Sequence, residues 1–341
     1  MSSLTGRITN LAASDRVRNV RARARRAFHL PGSTIAQPAP SNPDPITNFR
    51  LFAMLGTWME ADVVDASVRN AFTQGCDEVF LVDNDSPDDT VAVATRAGAQ
   101  LTVSFATDSF NEAMRIGIMN EAAREISERS SEDHIWWLWL DADEFPQGPH
   151  GLTIREFVAS LDRKFRCVGG RFFLHYPSAV PGYVPGRHPI DDMPWCYEDV
   201  SSDFCGNSLH HFKHPLQRFD RSGPRITMGV GAHTASCRRA ALFEPHDSLL
   251  VHHFQYREER TTRARMAALC GVDAGPDTRI GHLVKRHHES HGSQLGVATR
   301  LEMLDHVYAN ARQGPDAFIG GELRHWDAVA GPGEADIPRW Y

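Results

Sequence analysis

Trp136-Trp137-Leu138-Trp139-Leu140-Asp141-Ala142-Asp143-Glu144-Phe145-Pro146 is an apolar run that breaks off into three carboxylates within four residues. Even with His134 and Ile135 before it, the run is shorter than the roughly 18 apolar residues that a bilayer span needs. It is long enough for a buried strand. Clustered like charges repel one another unless a cation binds them. Hard oxygen donors suit Mg2+ or Mn2+, ions that bridge protein carboxylates to phosphates. A solvated turn is the alternative for an isolated Asp-x-Asp, so the weight of the motif depends on where the strand lies in the fold.

Upstream, strand-like and helix-like segments alternate. Phe49–Leu55 reads as a buried strand, and Met59, Val63, Val64, Val68, Ala71 and Phe72 then recur at helical spacing. A strand at Glu78–Val82, a helix at 88–97, a strand at Gln100–Phe105 and a helix at 110–129 lead into the Trp-rich run. Four strands with helical crossovers in about 100 residues predict an α/β fold, a mainly parallel sheet with helices on both faces. Ligands bind such sheets beyond the carboxyl ends of the strands, which singles out Asp83-Asn84-Asp85 and Asp141–Glu144.

On these segments, residues 48–146 resemble the nucleotide-binding half of a GT-A-fold, family 2-like glycosyltransferase. Met54–Glu60 and the following helix resemble the family's opening. Leu81-Val82-Asp83-Asn84-Asp85-Ser86-Pro87-Asp88-Asp89-Thr90 is similar to its Val-Asp-Asp-Gly-Ser-x-Asp-x-Thr segment, with Asn84 in place of an Asp. Leu140–Glu144 matches its metal motif. The resemblance implies a nucleotide-sugar donor, with Asp83 and Asn84 facing a uracil-like base and Arg115 and Asn120 reaching toward the donor. It further implies Asp141 on the ribose or on the metal through water, and Asp143 as a direct ligand of Mn2+ or Mg2+. An Asx-type turn competes for Asp85 and Ser86.

The second half is less regular. Cys167–Tyr176 and Leu249–Gln255 read as strands, 177–215 as a Pro/Gly/His-rich loop region shaping the acceptor side, and 257–270 and 293–312 as helices. Leu249–Arg257 resembles a strand ending in His-Tyr-x-x-Arg in a bacterial subgroup of the family. Alternation sends His252 and His253 to opposite faces, and His253 is taken as the one completing the metal shell. Arg257 and Arg265 are then placed to balance a departing diphosphate. Within Trp195-Cys196-Tyr197-Glu198-Asp199, Asp199 is the first candidate for the base and Glu198 the second, with Asp191, Asp192 and Asp203 as rivals. His210-His211-x-x-His214 and His287-His288-x-x-His291 have ligand-compatible spacing but no accompanying Cys or Glu set.

Composition sets the outer bounds. With 341 residues, 41% hydrophobic and 23% charged, the chain is an ordinary globular protein. Seven Arg and one Asp give residues 1–30 a charge of +6 against −7 overall, so the rest carries −13, which argues against nucleic acid as a partner. The basic start is either a solvated extension or a helix resting peripherally on anionic lipid. Six cysteines without a Cys-x-x-Cys pair read as small buried hydrophobes in a cytoplasmic setting. The expected organisation is a basic extension (1–30), a Pro-rich linker (31–47), a nucleotide-sugar half (48–150), an acceptor half (151–256) and a C-terminal helical segment (257–341). The expected activity is transfer of a sugar, with inversion, from a nucleotide-diphosphate donor of UDP type to a carbohydrate or small-molecule acceptor. A sugar nucleotidyltransferase and an inactive carbohydrate-binding protein of the same fold are the rival readings.

Overall fold

The computed structural model describes residues 35–36, 44–106, 111–180, 182–199, 213–237, 242–272, 300–318, 323–331 and 333–335. The basic extension, Asp203, His210, His211 and the 287–291 histidines lie outside the described residues. The first half runs β1 (Ile35–Ala36), β2 (Arg50–Thr57), α1 (Val64–Thr73), β3 (Glu78–Asp83), α2 (Thr90–Arg96), β4 (Gln100–Ser104), α3 (Glu112–Arg129), β5 (His134–Asp141), β6 (Glu144–Gln147) and α4 (Ile154–Ser160). It continues as β7 (Cys167–Tyr176), α5 (Pro189–Asp192), β8 (Trp195–Asp199), β9 (Lys213–Asp220), β10 (Ile226–Met228), β11 (Ala235–Cys237), β12 (Leu242–Phe243) and β13 (Leu249–His253). The last elements are α6 (Glu259–Val272), α7 (Arg300–Ala311), β14 (Arg324–His325) and α8 (Trp326–Val329).

β2 is the centre of the parallel half. It pairs parallel with β3 on one side and β5 on the other, and β3 pairs parallel with β4. A strand buried on both faces reads as a continuous apolar run, and the alternation inside that run decides which face each residue covers. Leu51, Ala53 and Leu55 of β2 join Trp136, Leu138 and Leu140 of β5 under Val64, Val68, Ile154 and Phe157 of α1 and α4. Phe52 and Met54 join Ile135, Trp137 and Trp139 under Ile116, Met119 and Ala123 of α3. Each large side chain so buried contributes about 1.5–3 kcal/mol. Both faces are covered, as the sequence predicts.

The chain adds β3 and β4 on one side of β2 and then crosses to place β5 on the other. Above β2 the strand order therefore reverses, which opens a crevice at the carboxyl ends. There Gly56 stands beside Asp141 and Thr57 beside Asp83.

The other half of the sheet is mostly antiparallel. β9 pairs antiparallel with both β5 and β7. β13 continues along that edge of β7 in parallel register and pairs antiparallel with β6, while β8 lies on the opposite edge of β7. The region 177–215, expected as loop, thus contains β8 and the first residues of β9. β9 escapes sequence pattern because it is polar and holds Pro215. Lys213, His214, Gln217 and Arg218 are nonetheless buried, each against a partner that satisfies it. Within the stretch read as a linker, β1 pairs parallel with β12. Asp44 accepts from the Arg163 backbone N–H at 2.9 Å, and Pro45 bridges Asp162.

Cys76, Cys167, Cys196 and Cys237 are free and buried, and burial pushes the Cys196 thiol up to about 12. Among the described residues no helix is long and apolar enough to cross a membrane.

A buried imidazole chain links β7 to β13. His175 Nδ1 donates to the Met193 carbonyl at 2.7 Å, so its Nε2 must accept, and His252 Nδ1 donates to it at 2.9 Å. Burial lowers the His175 pKa to about 3. Against an unfolded value near 6.5, the native state binds fewer protons between pH 6.5 and 3, so this contribution is complete above pH 6.5 and is lost as pH falls. Denaturant unfolding should show His175→Gln losing about 2 kcal/mol less than wild type between pH 6.5 and 5. Equal losses would mean that His175 is protonated in the native state.

Candidate active site

β5 delivers Asp141 to the crevice, and the turn after it brings Asp143 and β6 back toward β13. Glu144 lies directly across from His253, and the Phe254 N–H donates to the Asp143 carbonyl at 2.9 Å. This pairing places His253 Nε2 3.4 Å from Asp143 Oδ2. His252 points the other way, stacked on Phe173 and edge-on to Trp326. The expected split between the two histidines is the one observed.

The two aspartates of the motif sit in different surroundings. Asp141 Oδ1 meets Arg115 Nη1 at 2.8 Å, and its Oδ2 meets Lys213 Nζ at 3.2 Å. Lys213 also pairs with Glu144. Burial opposes ionisation of Asp141, but Arg115 and Lys213 hold its carboxyl well below the usual range. The same contacts outweigh burial at Lys213 and keep its ammonium charged. Arg115 is fixed in turn by both oxygens of Glu112 at 2.7 Å, and Glu112 accepts the Gly231 N–H at 3.1 Å. Asn111 caps α3 by accepting the Met114 N–H, which sets the register of Glu112 and Arg115. Gly56 leaves room beneath them: a Cβ there would run into Arg115 Nη1 and push the guanidinium from its place.

Asp143 is surrounded by positive groups. Burial works against its ionisation, yet His253 first, then Arg265 and Arg257, hold it strongly down. Arg257 Nη1 is 3.6 Å and Arg265 Nη1 3.7 Å from Asp143 Oδ2. Both guanidiniums are nevertheless committed elsewhere. Arg257 has no exposed side chain; Nε and Nη2 fork onto Asp62 at 2.7 and 3.0 Å, Nη2 reaches Glu60 at 2.6 Å, and Nη1 donates to the Phe254 carbonyl at 3.1 Å. Arg265 pairs with Glu60 and donates to the Gln255 carbonyl at 2.9 Å. The arginines expected at a diphosphate thus anchor α6 to the segment after β2. Burial would raise the Asp62 carboxyl, but Arg257 wins and lowers it. At Glu60 burial prevails over both arginines and the carboxyl is raised.

Asp83 lies at the end of β3, where its carboxylate accepts from Thr57 Oγ1 at 2.8 Å and from the Ser86 N–H and Oγ at 2.8 and 2.6 Å. It shapes a turn in which Asp85 has φ 51°, while the Asn84 N–H donates to the Thr57 carbonyl. Asn120 uses its amide to tie α3 to β10: Nδ2 donates to the Ile116 and Met228 carbonyls and Oδ1 accepts the Met228 N–H, all at 2.9 Å.

In the half expected to take the acceptor, sheet register separates the two base candidates. Asp199 pairs across β8 and β7 with Phe172, and Glu198 with Phe173. Directly paired residues share a face and successive residues alternate. The row Glu144, His253, Leu174, Tyr197 and the row through Phe172 to Asp199 therefore face the site. Glu198 faces away and is clamped by Arg171 at 2.8 and 3.0 Å. Asp192 accepts from Val184 and Arg187 within the preceding loop, beside Asp191 on α5. His214 is buried against Glu244.

Glu60, Asp62, Glu112 and Lys213 are the site residues that sequence reasoning missed. Only the need of Arg257 and Arg265 for acidic partners could have signalled the first two.

No protein-family model and no curated protein matches the chain. Similar solved structures include glucosyl-3-phosphoglycerate synthase from Mycobacterium tuberculosis with Mn2+, UDP-glucose and glycerol 3-phosphate, at 18% identity and TM-score 0.25. That match covers 36% of this chain and 44% of the synthase, less than half its length. A mannosyltransferase from Pyrobaculum calidifontis with GDP-mannose and Mn2+ matches at 13% identity over 89% of this chain and 78% of that one, with TM-score 0.33. Mannosyl-3-phosphoglycerate synthase from Rubrobacter xylanophilus matches at 14% identity over 82% and 80%, also with TM-score 0.33. These are loose likenesses.

Removing one partner of a buried ion pair strands the other charge. Arg257→Met should cost about 3–5 kcal/mol in denaturant unfolding. A loss below about 1 kcal/mol would mean that Glu60 and Asp62 are not held by Arg257.

Proposed function

We propose that this chain is a divalent-metal-dependent glycosyltransferase of the GT-A, family 2-like type, moving a sugar from a UDP-type donor to a carbohydrate or small-molecule acceptor with inversion. The observation that carries the reading is the meeting of Asp143 and His253 where the strand order reverses, with Asp199 on the same sheet face.

The donor set fits a hard divalent ion. Two ligands each about 2.1 Å from one ion stand about 3.0–3.4 Å apart, and the Asp143–His253 separation is 3.4 Å. Among the described residues no three His, Cys, Asp or Glu side chains form a complete cage. An ion held by two side chains would take its remaining ligands from water and substrate phosphates, as Mn2+ and Mg2+ do. Such an ion would be held by Asp143 and His253 and would supply charge stabilisation for the leaving diphosphate.

The chain's own residues do the rest. Asp141, fixed by Arg115 and Lys213, presents a rigid acceptor toward a donor hydroxyl. The turn that Asp83 shapes offers Asn84 to the base. Asp199 takes the proton of the acceptor hydroxyl as its oxygen bonds the anomeric carbon. The bond from that carbon to the diphosphate oxygen breaks on the opposite side, and its electron pair leaves with the diphosphate. Direct displacement gives inversion.

The nucleotidyltransferase reading needs a basic phosphate loop after the first parallel strand. Here that position holds Glu60 and Asp62, both turned onto arginines, which disfavours it.

Asp143→Ala and His253→Ala should each lower Mn2+-dependent turnover of UDP-sugars by at least a hundredfold while both variants remain folded by circular dichroism. His252→Ala should act mainly on stability. Turnover of Asp143→Ala within tenfold of wild type in saturating Mn2+ would sink the metal assignment. For the base, Asp199→Asn should reduce turnover by about 10² or more with UDP affinity unchanged. A product with retained anomeric configuration would discard the single-base mechanism.

A further inference from the structure

Lys213 touches both the first aspartate of the motif and the carboxylate that follows it. Its side chain is 5% exposed, on the site face of β9 across from Gly170, with Nζ 5.4 Å from the centre of the Phe172 ring. One ammonium is shared by Asp141, at 3.2 Å, and Glu144. With Arg115 on the other oxygen of Asp141, both oxygens of the motif's first aspartate face fixed cations. Asp143 Oδ2 lies 3.6 and 3.7 Å from Arg257 Nη1 and Arg265 Nη1, but those guanidiniums are hydrogen-bonded to Glu60, Asp62 and backbone carbonyls, and His253 Nε2 faces the same oxygen at 3.4 Å.

We propose that Lys213 is the resident cation of this site: it fills the place between Asp141 and Glu144 that a second divalent ion would otherwise take, so that metal loads on Asp143 and His253 alone. The inference rests on the metal reading given above and deepens it by fixing the ion count and the role of Asp141. Two carboxylates that converge on a single ammonium form a hard-oxygen pair of the kind that binds Mn2+. Glu144 is buried and Asp141 partly exposed, and leaving the two carboxylates without a countercharge is costly unless one of them takes up a proton, so a cation or a proton must stand there. A covalently attached ammonium does so at every metal concentration, and Asp141 therefore keeps one orientation before and after metal enters. Lys213 is in this sense a positioning residue.

The test counts Mn2+ on the full chain by electron paramagnetic resonance and calorimetry, without nucleotide and again with UDP. Wild type should bind one ion, Lys213→Arg one, and Lys213→Ala two, the second lost in the Lys213→Ala/Glu144→Gln double variant. Asp141→Asn should leave Mn2+ affinity within about threefold of wild type, whereas Asp143→Asn should weaken it more than tenfold. Two ions on wild type, one ion of unchanged affinity on Lys213→Ala, or loss of metal by Asp141→Asn as severe as that by Asp143→Asn would each overturn the role of Lys213 while leaving a metal site in place. Wild type that binds no Mn2+ with or without UDP would remove the metal reading itself. If Lys213→Ala does not fold, the comparison of Asp141→Asn with Asp143→Asn decides the matter.

Discussion

No charge in the crevice can be buried alone, and the arrangement of the molecule follows from that constraint. Glu60, Asp62, Asp141, Asp143 and Glu144 converge from three segments, and Arg115, Lys213, Arg257 and Arg265 converge on them from three others. An isolated ionised group in a low-dielectric interior costs several kcal/mol even after relaxation, so each carboxylate dictates where a cation must come from. The pairing is also directional, since a guanidinium fork meets a carboxylate in one plane. Arg257 and Arg115 use that geometry to set the positions of α6 and α3 against the sheet.

The sheet supplies what the charges cannot, a floor that does not move. β7 is ten residues long and is shared by β9 and β13 along one edge and by β8 along the other. Strand alternation then sorts side chains with no further device: Lys213, Phe172, His253 and Asp199 to the crevice, and Glu198, His252 and Phe173 to the interior or the opposite side. The buried imidazole chain from His252 through His175 to the Met193 carbonyl keeps β13 and β7 in register at the level of the site. His253 is thereby placed by backbone pairing, and its ring needs only one rotamer to meet Asp143.

Much of the parallel half was legible because its signals are local. Apolar runs of strand length separated by helical spacing located β2 through β5 to within a few residues, and the carboxylates after β5 identified the crevice. Alternation alone predicted that His252 and His253 would part. What stayed hidden depends on contacts across long stretches of chain. β9 lacks an apolar pattern because its buried polar residues are satisfied by partners 10 to 70 or so positions away. For the same reason the sequence shows Arg257 and Arg265 near a histidine motif, but not the ion pairs they make with Glu60 and Asp62. Asn120, expected to reach toward the donor, has its amide tied to Met228 of β10, a contact 108 positions away that no local pattern shows.

The same long-range pairing bears on how the chain acquires its shape. Glu60 and Asp62 leave the ribosome 197 and 195 residues ahead of Arg257, the group that neutralises them. Until then the opening of α1 carries bare carboxylates that favour water, and the parallel strands beside it wait for β9 to cover β5. Contacts of such high sequence separation form late, because the entropy of closing a long loop must be met before they return any energy. The crevice is therefore closed from its C-terminal side, by contacts that join the parallel half of the sheet to α6 across 195 and 197 residues of chain.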